Sequence, residues 1–154
     1  MNTTRPRLVA AALLTLGGMT AAVGATLIVL ARFAAASGMD IRPADVQLVD
    51  DLAALLPFIG AFIAVDLATA RGLARGRAWA IASASVLSLG TATMAAFGLL
   101  LVVVGTAPSA IAGASHGAAE AIGLIAGFGG IYLTALMALR LDGLPAVRPR
   151  VATT

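Results

Sequence analysis

Four long apolar runs alternate with short polar segments along this chain. The runs occupy roughly residues 8–31, 53–70, 79–104 and 118–139. A helix rises about 1.5 Å per residue, so the first run reaches about 36 Å, enough for a hydrocarbon core of about 30 Å with some tilt. The pattern predicts an all-α fold: an integral membrane four-helix transmembrane bundle in one domain over residues 1–141. Residues 142–154 are Pro-rich and polar and are expected to form a disordered tail. The halves of two runs each show no obvious similarity, so no internal repeat is read.

The punctuation between runs is specific. Ser37-Gly38 stops the first helix. Pro43 suits the first turn of a new helix, and Val46, Leu48, Val49 and Leu52 suggest a helical lead-in continuous with the second span. Pro57 then falls inside that span, withholds a donor from the Ala53 carbonyl and predicts a kink. Residues 71–77 form a short basic turn, and Trp79 beside it stands where an aromatic belt residue belongs. Residues 105–117 form a small-residue loop without arginine. A cleaved signal peptide is the rival for the first run, since Arg5 and Arg7 resemble its basic start and residues 34–36 offer a cleavage site. The apolar stretch is far longer than the usual 7–15 residues.

Composition agrees with lipid as the solvent. The chain of 154 residues is 60% hydrophobic and 11% charged, where a soluble domain has about 25% charged residues. The net charge of +3 comes entirely from arginine. Absence of Lys together with abundant Ala suggests a GC-rich bacterial coding bias. Eight of the ten arginines lie at the termini and in the 71–77 turn: Arg5, Arg7, Arg71, Arg75, Arg77, Arg140, Arg148 and Arg150. Segments alternating in this way share one side of a membrane, so both termini are expected in the cytoplasm, with the protein in the plasma (inner) membrane. Arginines that flank spans form no basic stripe, which argues against nucleic acid. The other side holds Asp40, Asp45, Asp50, Asp51 and Glu120 against Arg32 and Arg42.

That acid-bearing side carries the candidate chemistry. His116 and Glu120 stand four apart on one helix face, near the Asp50–Asp51 pair that starts the second span. A carboxyl in a low-dielectric pocket suits proton transfer, so Glu120, Asp51, Asp50 and His116 are the candidate catalytic groups. The plainer reading makes Glu120 a first-turn acid that complements the helix dipole and His116 a loop residue. A His–Glu–Asp metal site is a weak reading with one histidine and no cysteine, and no metal is expected. Asp66 is expected to pair with Arg71, Arg75 or Arg77; alternatively it relays protons from Asp51 on the same helix face. Arg32 is expected to pair with Asp50, Asp51 or Glu120. Tyr132 is placed mid-membrane, where its hydroxyl needs a partner, with Ser85, Ser88 or Thr91 as candidates. Arg32, Asp66 and Tyr132 are thus the pocket or relay candidates. Gly123 and Gly127 form a G-x-x-x-G helix-packing signal, and small residues at Gly17, Ala21, Ala25 and at Ala84, Ser88, Thr91 suggest further contact faces.

No phosphate-binding loop, dinucleotide glycine pattern or nucleophile elbow occurs, so no cofactor is expected. The reading favoured is a non-catalytic accessory or small-molecule-binding membrane protein. Two alternatives stand beside it: an acid/base enzyme acting on a lipophilic substrate at the outer leaflet, and a small proton-coupled transporter. The partners implied are membrane lipid, with a lipophilic small molecule, another membrane protein or further copies of the chain.

Overall fold

A computed structural model describes residues 4–38, 43–110 and 116–142. Every described element is a helix: α1 (Thr4–Ala36), α2 (Pro43–Ala54), α3 (Leu56–Ala74), α4 (Ala78–Ala110) and α5 (His116–Asp142). Four stretches are long and apolar enough to cross a membrane, namely Arg5–Ala36, Leu56–Ala74, Ala78–Val104 and Glu120–Arg140. The chain is an all-α four-helix bundle of the multi-pass membrane type. The tail expected to be disordered lies outside the described residues.

Local chemistry sets the helix ends. Gly38 adopts a φ of +78°, and Ser37 donates its amide to the Phe33 carbonyl at 3.0 Å. This is the left-handed C-terminal stop that glycine favours. The 71–77 turn works the same way. Gly76 has a φ of +69°. Its amide donates to the Leu73 carbonyl at 2.9 Å, while the Arg77 amide reaches back to Gly72 at 3.0 Å. Those two bonds make a Schellman cap, so α3 ends sharply and α4 starts at once.

Proline 57 stands next to an interruption of the helix, where a kink was expected. The lead-in and the second span are divided at the single residue Leu55, whose backbone stays in the helical region (φ −85°, ψ −9°), and Pro57 occupies the first turn of α3. An N–H is dispensable there, so the proline is accommodated at a helix start. The span also runs on to Ala74, four residues past its expected end.

The helices form a ring in which α1 packs on α3 and α5, and α4 packs on α5 and, less extensively, on α3. Lipid tails are as apolar as leucine, so close approach at small residues holds such a bundle together. At Gly72 an added Cβ would lie 2.7 Å from Ala80 Cβ. At Gly129 it would lie 2.6 Å from Ala95 Cβ, and at Gly17 2.5 Å from the Tyr132 hydroxyl. Packing is uneven along the bundle axis. At the end bearing the arginine turn, Ala10, Ala11, Leu14, Leu73, Ala80, Ala84, Ala138 and Leu139 are buried together. Toward the opposite end large apolar side chains such as Phe58, Met94 and Leu124 are exposed.

Candidate functional site

Among the described residues, one carboxyl is buried at the centre of the bundle. Asp66 lies in the middle of α3, about 15 Å from Leu56 and about 12 Å from Ala74 along the helix. It is 0% exposed. Tyr132 of α5, also 0% exposed, donates its hydroxyl to Asp66 Oδ2 at 2.5 Å. The bond spans opposite corners of the ring, since α3 and α5 each pack mainly on other helices. Glycine makes room for it: the Gly17 face of α1 meets the Tyr132 ring, and a Cβ at Gly18 would stand 3.4 Å from Asp66 Oδ2.

Two polar atoms at this level are buried without a hydrogen-bond partner, Asp66 Oδ1 and Ser88 Oγ. Ser88 stands out from its neighbours in chemistry. Thr15, Thr20, Thr26, Ser85, Thr93 and Thr134 each return a hydroxyl proton to the carbonyl four residues back, and Ser88 does not. Depth follows from register. Gly72 touches Ala80; Asp66 lies six residues before the one and Ser88 eight after the other, so their depths differ by about 3 Å. An unpaired buried polar atom costs on the order of 1–3 kcal/mol. The bundle therefore carries a polar layer of Asp66, Tyr132 and Ser88 that packing alone does not explain.

One helical turn farther from the arginine end lies an aromatic layer. Phe62 precedes Asp66 by four residues and Phe128 precedes Tyr132 by four. Their rings form a cluster with Tyr132: centroid separations are 6.4 Å for Phe62–Phe128, 5.9 Å for Phe62–Tyr132 and 5.1 Å for Phe128–Tyr132. Phe62 and Phe128 line a crevice of about 730 Å³ together with Ala21, Gly24, Ala25 and Ile28 of α1, Phe58 and Ile59 of α3, and Val86, Leu87, Gly90, Thr91 and Met94 of α4. Thr91 is the one polar side chain in that wall. The crevice opens on the flank of the bundle, where Phe58 is 73%, Val86 72% and Met94 71% exposed. A second hollow of about 450 Å³ shares Ala21, Thr91, Met94 and Phe128 with it and extends toward Leu124 and Ile125 of α5. The short cap at Gly76 joins α3 to α4 at the arginine end, and the crevice lies between these two helices and α1.

The residues singled out from sequence are distributed differently from the expected cluster. Asp50, Asp51 and Glu120 are exposed. Asp50 Oδ1 meets Arg32 Nε at 3.3 Å, with side chains 57% and 60% exposed. His116 is the first residue of α5, and its side chain is outside the described residues. Among the described residues, no group of three potential metal ligands comes together. Asp66 and Tyr132 are brought into direct contact, which neither expectation foresaw. Asp66 bonds a phenol instead of an arginine: it sits too deep, while Arg71, Arg75 and Arg77 are exposed at the helix end. Tyr132 bonds the carboxylate instead of a serine or threonine of α4. The shared helix face of Asp51 and Asp66 does not exist, because the break at Leu55 puts them on different helices.

Gly123 and Gly127 meet no atom within 4 Å and are exposed, so within this chain they form no packing seam. Gly17, Gly72 and Gly129 take that role. Sequence reasoning missed Phe62, Phe128 and the α3–α4 crevice. Spacing of four from Asp66 and from Tyr132 was an available signal, although it needs the pairing of those two residues first. No protein-family model matches this chain, and no curated protein or solved structure does either, so the reading of the site rests on its own geometry.

Proposed function

We propose that this chain is a non-catalytic membrane protein that holds a lipophilic small molecule in the crevice between α1, α3 and α4. The observation that carries this reading is the crevice itself. Its volume of about 730 Å³ falls within the roughly 300–1,000 Å³ of small-molecule sites. Its wall is apolar apart from Thr91, and its open flank gives a lipophile entry from the bilayer without passage through water. The arginine distribution supports a plasma-membrane protein with the arginine end in the cytoplasm, so the crevice faces the outer half of the bilayer.

The acid/base enzyme draws less support, because Asp50, Asp51 and Glu120 stand exposed rather than in an enclosed pocket. A proton-coupled transporter needs access to Asp66 from both ends. The crevice approaches from one, and Leu14, Leu73, Ala80 and Leu139 fill the other.

Photolabelling in nanodiscs tests the proposal. A neutral alkyl probe bearing a diazirine should label Phe58, Val86 and Met94 saturably. Labelling that never saturates and spreads evenly over other exposed positions, such as Val23, Leu30 and Leu133, would mean that the crevice holds only bulk lipid.

A further inference from the structure

We infer that the crevice selects lipophiles carrying a positively charged nitrogen, with Asp66 as the counter-charge. This rests on the reading of the crevice as a small-molecule site and names the class of its ligand. Three observations converge. Two aromatic rings, Phe62 and Phe128, line the crevice. Aromatic faces attract cations within about 6 Å of the ring centroid, more strongly where water is excluded. About one helical turn, or 6 Å along the axis, toward the arginine end lies Asp66, the one carboxyl buried among the described residues. Its hydrogen-bond partner is a neutral phenol, not a cation, so that bond supplies no counter-charge to the carboxyl when it is ionised. Oδ1 keeps an unused acceptor site.

Charges in such surroundings are costly unless paired. A ligand ammonium resting on Phe62 and Phe128 brings the missing charge to within a turn of the carboxylate. Its alkyl body fills the apolar wall, where Gly24 and Gly90 leave open space: a Cβ at either would meet nothing within 4 Å. The Tyr132 hydroxyl bonds Oδ2 and Oδ1 is buried without a partner, so the ligand cation acts on the carboxyl through space and not by a hydrogen bond. A neutral lipophile gains the wall contacts and none of this pairing.

The test uses the full chain in phosphatidylcholine nanodiscs and the neutral diazirine probe described above. Two competitors of the same shape differ only in charge: dodecyltrimethylammonium and its carbon isostere 2,2-dimethyltetradecane. The cation should displace the probe at about tenfold lower concentration, a difference of one factor of ten per 1.4 kcal/mol. Asp66→Asn should abolish that preference while the neutral isostere competes as before. Phe128→Leu, which leaves Asp66 intact, should reduce the preference about threefold and keeps the inference testable if Asp66→Asn fails to fold. Equal competition by the two compounds, with probe labelling still saturable, overturns the charge inference and leaves the crevice reading standing. A preference that persists undiminished in both variants overturns it as well. Absence of saturable labelling in the wild-type protein removes both.

Discussion

Replacing Tyr132 by phenylalanine removes one oxygen atom and keeps the ring that stacks on Phe62 and Phe128. What it changes is Asp66. In the native bundle Oδ2 accepts the tyrosine proton and Oδ1 has no partner; in the variant neither carboxyl oxygen has one, in a side chain 0% exposed. Leaving a buried acceptor unpaired costs on the order of 1–3 kcal/mol. Interhelical hydrogen bonds in membranes are worth less on average, about 0.6 kcal/mol with a maximum near 1.7. The Tyr132 bond should lie at the upper end, because its acceptor is a carboxyl and has no second donor. We therefore expect Tyr132→Phe to destabilise the bundle by about 1–2 kcal/mol. The assay is reversible unfolding of purified protein in mixed micelles, followed by circular dichroism. A double-mutant cycle with Asp66→Ala isolates the bond: each single variant strands the partner group, and the double variant strands neither. The coupling should be about 1 kcal/mol. Unchanged stability in Tyr132→Phe, or a coupling near zero, would refute the claim that this pair ties α3 to α5.

Glycine substitutions should separate close contacts from open positions. Gly72→Val and Gly129→Val should each destabilise by about 1–3 kcal/mol in the same unfolding assay, since the added Cβ would meet Ala80 or Ala95 at 2.7 and 2.6 Å. Gly123→Ala and Gly127→Ala should leave the monomer's stability unchanged or slightly raised, because nothing lies within 4 Å of either; a loss visible only at high protein-to-detergent ratio would instead point to contact between copies. Gly76→Ala should cost about 1 kcal/mol through its φ of +69°, with helical content by circular dichroism nearly constant. Arg32→Gln should change stability by less than about 1 kcal/mol, because the pair with Asp50 is largely exposed and screened.

Span number was readable from hydropathy because lipid demands long apolar helices, while span ends were not, since α3 starts at Leu56 and runs to Ala74. The stop at Gly38 was readable for a related reason, since the left-handed conformation strongly favours glycine; the stop at Gly76 was not singled out, and the second span was expected to end near residue 70. The part that resisted was azimuthal. All four spans are apolar on every side, so periodicity does not distinguish a lipid-facing residue from a core one. Gly123 and Gly127 therefore looked like a seam, and Gly17, Gly72 and Gly129 carry the packing instead. Pro57 reads in the sequence as an interior proline that kinks the second span, and the structure instead places it in the first turn of α3, just after the break at Leu55. The Asp66–Tyr132 contact joins residues 66 apart in the chain, on helices that lie at opposite corners of the ring. Each residue announced a need for a partner, but only the helix order supplied it. The crevice is emptiness between helices, and no residue encodes emptiness by its type.

The most direct test of the central claim is occlusion of the crevice at Gly90. This residue lines the wall, and a side chain there would enter open space without touching the backbone of a neighbour. Saturable labelling of Met94 and Phe58 by the neutral diazirine probe should fall at least about tenfold in Gly90→Phe, with unfolding in micelles unchanged. Equal saturable labelling in the wild-type protein and in folded Gly90→Phe would contradict the assignment of the crevice as the ligand site.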